Sequence, residues 1–441
     1  MRRIYPEHAY SEAPRAACYW PTTTTRESNP RARGTLTADV AIIGAGFTGL
    51  SAALHLAQDG ADVIVLEAQD VGWGASGRNG GFCCLGGSAA SDKALTRMYG
   101  EDARREFRMT ERRAVELAAD LIDRHGMKVD RHSDGETVMA HTPAAFDGFD
   151  VRAQAIERDY GVTPTIIPAQ KQTQNGMTGP FHGAMSTPIG FALNPMKYIQ
   201  GLADAARAAG VRIRAHSPVQ RIDQGVSFNL QTPEARVQAR RLIVATNGYS
   251  SDDLPHWMKG RYLPTQSNVL VTREMTDAEL AAQGWTSRQA CYDDRFFLHY
   301  FRLMPNNRML FGMRGGLFSA PWADERMHAN IRQHFETMFP AWQHVETPHS
   351  WHGLLSISRD LTPYAGPIDT MPGAFTAMSY HGNGVAMATY AGALLADLAQ
   401  DRAPRHAYPK VMQTPPKRWP LGGFRRAWFW PVYAAMWATG A

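Results

Sequence analysis

The 441-residue chain has few cysteines, no long apolar run and no strong excess of either charge. Its four cysteines, Cys18, Cys83, Cys84 and Cys291, form no C-x-x-C pair and are too sparse for a secreted disulfide framework. No segment reaches the roughly 18 uninterrupted apolar residues that span a bilayer. The basic start MRRIYPEHAY has no apolar run behind it, so it does not read as a signal peptide, and the expected compartment is the cytoplasm. The net charge is only +5, and the densest basic run, PPKRWPLGGFRR, carries four positive charges, which argues against a nucleic-acid partner. Sixteen histidines include a loose group at His328, His334, His344, His349 and His352, but the spacings fit no metal-ligand pattern, so no metal is expected.

What is present is glycine in particular places. TADVAIIGAG is a short apolar strand that runs into glycines, FTGLSAALHLAQDG has helical apolar spacing and stops at Gly60, and ADVIVLEA is a second buried strand. This β-α-β unit implies a parallel sheet. GAGFTG sets Gly44, Gly46 and Gly49 in G-x-G-x-x-G spacing: a tight turn, room for a pyrophosphate to approach the backbone, and close packing of helix on strand. The helix N-terminus then offers free N–H groups and a positive dipole end to phosphate. Glu67, 23 residues after Gly44, ends the second strand, placed to accept from ribose hydroxyls, which disfavours a 2′-phosphate. A second glycine-rich run, GASGRNGGFCCLGG, follows directly where a longer dinucleotide such as FAD, rather than NAD, would extend.

The run VAIIGAGFTGLSAALHLAQDGADVIVLEAQDVGWGASGRNGG resembles the N-terminal signature of the D-amino-acid oxidase superfamily of FAD-dependent oxidoreductases. Within it the likeness is to the gamma-glutamylputrescine oxidase group, carried also by CYW, FALNPMKYIQGLADAARAAGVRIRAHSPV, LIVATNGYS, HYFRLMPNNRMLFGM, WHGLLSISRDLTPYAGPID and SYHGNGVAMATYAGALLADL in order. The resemblance implies that Phe47 and Thr48 lie against the pyrophosphate and that Glu67 with Ala68 meets the adenosine ribose. Ala75 and Ser76 would meet the phosphates or ribityl chain, with Arg78 and Asn79 in reach of the same oxygens. Gly80, Gly81 and Phe82 would pass beside the isoalloxazine. Val219 would contact adenine through its backbone, and Ala245, Thr246 and Gly248 would form a second crossing near the cofactor. Gly382, Asn383, Gly384 and Val385 would turn a helix N-terminus toward the flavin N1–C2=O edge, where reduction places negative charge. Asn383 and Ser379 depart from the family's frequent His and Gly.

By this resemblance the fold is α/β (α+β overall): a discontinuous Rossmann-like FAD-binding domain with an inserted antiparallel-sheet substrate domain. The boundaries expected are an irregular arm over 1–35, the FAD domain over 36–91, 190–255 and 350–400, the substrate domain over 92–189 and 256–349, and a tail with an aromatic helix over 401–441. The implied chemistry is oxidation of a primary or secondary amine, gamma-glutamylputrescine-like or amino-acid-like. A hydride passes to flavin N5, the imine hydrolyses to an aldehyde or keto acid plus ammonia or amine, and O2 becomes H2O2. Two rivals stay open: a dehydrogenase passing electrons to a carrier, and a flavin-binding protein without turnover. Arg302 is a candidate for holding a substrate carboxylate bidentately or, equally, for a structural salt bridge. Tyr380 and His381 are candidates for substrate contact or for tuning the amine proton, against core packing; Trp351 and His352 stand on a strand leading to the flavin. Adjacent Cys83 and Cys84 read as small packing residues and FAD as non-covalent, with no cysteine beyond Cys291 for a C-terminal cysteinyl link. The tail RRAWFWPVYAAMWATGA offers either an interfacial membrane anchor or a segment docked on the protein body; oligomeric state is left open.

Overall fold

The computed structural model describes residues 1–25 and 27–431. Its first sheet is built from the runs read as buried strands. Gly34–Ile43 lies parallel between Ala235–Val244 and Val63–Leu66, and Val63–Leu66 pairs in parallel with Arg212–Arg214. Ala374–Met378 joins the far side of Ala235–Val244 in parallel, and Tyr364–Pro367 closes that edge antiparallel. Val63–Leu66 is buried at every residue, as a strand covered on both faces must be.

The first helix, Phe47–Gln58, starts at Gly46 and packs against Gly384–Ala399. Glycine makes both approaches close. A Cβ on Gly49 would sit 2.0 Å from the Gly44 carbonyl oxygen, and one on Gly392 would sit 2.5 Å from that of Thr48.

A second sheet of eight strands runs in the order His349–Ile357, Leu263–Val271, Met309–Arg314, His299–Leu303, Ala290–Asp293, Glu136–Met139, Gly183–Thr187, Thr165–Pro168. It is antiparallel except where Ala290–Asp293 meets Glu136–Met139 in parallel. Behind it, helix Pro321–Met338 and the rings of Trp285, Phe301, Phe311, Phe335, Phe339 and Trp342 make a separate apolar core.

Three boundary expectations change. His349–Ile357, assigned to the cofactor lobe, pairs along its length with Leu263–Val271 and belongs to the second sheet. Helix Glu101–Arg124, assigned to the substrate lobe, packs on Gly384–Ala399 of the first. The N-terminal arm contains three short 3-10 turns and is anchored: Trp20 is buried, with its indole N–H donating to the Asn79 carbonyl at 2.8 Å. The expected aromatic helix falls mainly on residues 432–441, outside the described residues. Before it, Gly422–Trp428 is a 3-10 turn held by buried Arg425, which pairs with Asp252 at 2.7 Å. Among the described residues no helix is long and apolar enough to cross a membrane.

Candidate active site

A cavity of about 360 Å³ lies between the two sheets. One wall is the glycine turn after Gly34–Ile43. Gly44 has φ +105°, and a Cβ there would stand 2.8 Å from the Ala245 carbonyl oxygen, so only glycine fits without a shift. The helix that follows has no side-chain cap at Gly46; the Phe47 N–H instead reaches Ser76 Oγ at 3.0 Å. Ser76 therefore holds the second glycine run against the helix N-terminus.

Glu67 lies beside the glycine turn. Its Oε2 accepts the Ala45 N–H at 2.8 Å and its Oε1 the Gln69 N–H at 3.0 Å, leaving further lone pairs on each oxygen. Burial pushes its carboxyl pKa up.

Arg78 is 2% exposed, lies 4.2 Å over the Trp73 ring, and donates from Nε to the Trp73 carbonyl and from Nη1 to that of His352. Its buried Nη2 has no acceptor. A buried cation with an unsatisfied donor on a cavity wall calls for an acceptor in the cavity, as a phosphate or ribityl oxygen supplies. The glycine turn, the helix N-terminus, Glu67 and Arg78 together fit FAD.

Most sequence-derived residues line this cavity: Gly44, Gly46, Phe47, Thr48, Glu67, Ala68, Ala75, Ser76, Arg78, Asn79, Gly80, Phe82, Val219, Ala245, Thr246 and Tyr380 through Val385. Gly49, Gly81 and Gly248 do not. Each instead permits a close backbone approach, to Gly44, Leu193 and Leu354 respectively.

Arg302 is also off the cavity, which corrects its candidacy as a carboxylate clamp. It shares a sheet face with Tyr300 but lies one strand repeat farther, beneath Gly80–Gly81. Nε donates to the Gly80 carbonyl at 2.9 Å, Nη2 to that of Leu193 at 2.7 Å, and Nη1 meets His132 Nε2 at 2.8 Å. Burial lowers its pKa to about 9. Nor does Arg302 form a salt bridge to any described residue; it braces backbone.

His381 lines the cavity, but its ring is spoken for. Nδ1 donates to the Gly87 carbonyl at 3.0 Å, and Nε2 faces the Ser358 N–H at 3.3 Å. Burial lowers its pKa to about 4, so the ring is neutral at pH 7 and its hydrogen bonds pin the turn. The Tyr380 hydroxyl shares a 2.7 Å hydrogen bond with Thr48 Oγ1, tying the turn to the first helix. Trp351 donates to the Arg78 carbonyl, and His352 binds Asp324 away from the cavity. Cys83 and Cys84 are buried free thiols whose pKa values burial raises, so neither is a thiolate.

The opposite wall, missed from the sequence, is the second sheet's face: Glu136, Ser267, Tyr292, Tyr300 and Arg314. Arg314 has no carboxylate partner among the described residues, and burial lowers its pKa. A Cβ on Gly382 would lie 2.6 Å from its Nη2, so the guanidinium stands against the turn that opens the last helix. Its signal in the sequence was a cation ending the apolar strand MLFGMR just before two glycines.

The family profile for FAD dependent oxidoreductases (DAO) matches residues 39–398. The chain belongs to that family. This DAO-family chain is 30% identical over 373 residues to the gamma-glutamylputrescine oxidoreductase of Escherichia coli (strain K12), covering 84% of this chain and 85% of that one. It is also 30% identical over 366 residues to a probable oxidoreductase OrdL of Haemophilus influenzae, covering 82% of each. Among solved structures, glycine oxidase from Geobacillus kaustophilus superposes with a TM-score of 0.70 at 19% identity, over 86% of this chain and 99% of that one. Iminodiacetate oxidase from Chelativorans sp. BNC1 does so at 0.68 and 18%, over 86% and 100%. The DAO-family fold and an FAD-dependent oxidoreductase activity follow.

Proposed function

We propose that the chain oxidises the C–N bond of a primary or secondary amine that carries a carboxylate, with O2 as electron acceptor and non-covalent FAD. The observation that carries the substrate half is Arg314: a cation without a carboxylate partner on the cavity wall, against the Gly382 turn. A guanidinium in that setting binds a carboxylate bidentately and orients what is attached to it. FAD, when bound, supplies the hydride acceptor.

The chain's own residues do the rest. Glu67, Ser76 and Arg78 fix the cofactor's polar length, and Arg302 holds the Gly80 carbonyl in place from behind. The Gly384–Ala399 helix N-terminus, with Asn383 as its N-cap residue and no side-chain cap bond, turns its free N–H groups to the cavity. Tyr300, over Gly80, presents its ring to the cavity, its hydroxyl held by Ser267 at 2.9 Å. The product imine leaves to hydrolyse to an aldehyde or keto acid plus ammonia or amine.

The test is anaerobic mixing of purified protein with a panel of polyamines, gamma-glutamylated amines, N-methyl amino acids and D-amino acids. The expected result is bleaching of the flavin by carboxylate-bearing amines, then peroxide on admitting air. No bleaching by any amine sinks the proposal. Bleaching with dye reduction but no peroxide would assign the electrons to a carrier.

A further inference from the structure

The family profile begins at residue 39, so it assigns no role to the arm before it. That arm bridges the two lobes. Near its start the Asp252 N–H donates to the Arg2 carbonyl and the Arg2 N–H to Asp253 Oδ1, both at 2.8 Å, on the segment leaving Ala235–Val244 for the second sheet. Three residues on, the Tyr5 hydroxyl donates to the Gly316 carbonyl at 3.3 Å, in the loop after Met309–Arg314. His8 Nε2 meets Asp324 Oδ2 at 2.7 Å, on helix Pro321–Met338. The chain then runs along the second glycine stretch: Glu12 accepts the Trp73 indole N–H, Cys18 Sγ faces the Gly77 carbonyl at 3.7 Å, and Trp20 donates to the Asn79 carbonyl. Tyr5, Ala9 and Tyr10 are buried with Leu354 and pack against Tyr249.

The arm sets Arg3 and Tyr10 on the cavity wall. Arg3 lies 4.3 Å over the Tyr10 ring, Tyr10 meets Tyr249 edge-on, Tyr249 meets Trp73 edge-on, and Arg78 lies over both Trp73 and Tyr249. Two guanidinium groups therefore stand at the ends of one row of rings. Both have the same deficit: Arg78 keeps a buried Nη2, and Arg3 a buried Nε, without an acceptor. The ion pair Arg3 makes, from Nη1 to the exposed Glu7 at 4.0 Å, leaves Nε unserved. A buried donor without an acceptor is costly, and an acceptor arriving in the cavity removes that cost.

We propose that the arm is a strap that completes the FAD site, with Arg3 giving its free Nε–H to an oxygen of the pyrophosphate. This rests on the assignment of FAD to the cavity. Phosphate oxygens are the cofactor's charged acceptors, and a guanidinium binds them more strongly than neutral ones. Coupling between two binding events is reciprocal, so whatever factor the docked arm adds to FAD affinity, FAD adds to docking of the arm. The strap and the cofactor then hold each other in place.

The experiment uses the full chain, stripped of FAD and titrated with FAD or riboflavin. Arg3→Met is expected to raise the Kd for FAD about tenfold or more, the worth of one charge-assisted hydrogen bond, with the melting temperature of the apoprotein unchanged. Arg3→Lys should recover part of that loss. Riboflavin, which has no phosphate, should bind all three proteins alike. The second readout is trypsin cleavage after Arg15, a buried arm residue, followed by the mass of the N-terminal fragment. FAD should slow it about tenfold or more in the wild type. At saturating FAD that protection should be largely lost in Arg3→Met, which global stabilisation by the cofactor does not explain. Three results overturn the proposal: an FAD Kd in Arg3→Met within about twofold of wild type, arm cleavage indifferent to FAD, or riboflavin weakened as much as FAD. If the wild type binds no FAD, the cofactor assignment itself falls; if it binds FAD and Arg3 is indifferent, only this inference falls.

Discussion

Glu67→Gln isolates one end of the cofactor site. In the wild type both carboxylate oxygens accept a backbone N–H, from Ala45 at 2.8 Å and Gln69 at 3.0 Å, and each keeps a lone pair for a ribose hydroxyl. An amide has one acceptor oxygen. Its NH2 must therefore point at one of those two N–H donors, and that side loses its bond and its ribose acceptor together. A hydrogen bond to a charged group is worth about 1.5–3 kcal/mol, so the Kd for FAD should rise roughly 10- to 150-fold. Titrating apoprotein with FAD and following quenching of flavin fluorescence measures it directly. A Kd within about threefold of wild type would refute the assignment of Glu67 to the ribose.

Further outcomes follow from the same geometry. Arg302→Met should cost about 3 kcal/mol or more of stability by stranding the Gly80 and Leu193 carbonyls, seen in urea unfolding, with KM for a carboxylate-bearing amine little changed. Arg314→Met should do the reverse, raising KM by about tenfold or more with the melting temperature nearly intact. His381 is depressed to about 4 in the folded protein against 6.5 unfolded, so the unfolded chain binds its proton first. Stability should therefore fall as pH drops from about 6.5 to 4, by up to about 3 kcal/mol, and His381→Gln should flatten that limb of a pH series of unfolding curves. With both adjacent thiols neutral and buried, acid precipitation should release all FAD into the supernatant; a yellow pellet would overturn non-covalent attachment.

The cofactor side was legible because its requirements are local. Gly44 and Gly46 lie within a few residues of the helix they serve, and Glu67 follows one β-α-β unit later, so spacing alone carried them. The substrate side was not, because its wall is assembled from five strands distant in sequence. Nothing near Glu136 in the chain indicates that Arg314 lies on the same face. Arg302 was misread for a related reason. Strand alternation puts it on the face of Tyr300, yet only the packing of Gly80–Gly81 decides that it meets backbone instead of cavity. The boundary at 350 failed because only six residues separate His349–Ile357 from the first-sheet strand Tyr364–Pro367, and pairing partners are invisible to composition.

The chain passes between the two sheets four times: after Leu66, after Thr187, after Val244, and again between Ile357 and Tyr364. The last passage has only six intervening residues. No single cut divides the two lobes, and no contiguous segment holds either one. A chimera made by swapping one such block with a relative would pair strands of two origins within a single sheet. Transplanting specificity between relatives of this architecture therefore has to proceed side chain by side chain on the sheet face, with the backbone left whole.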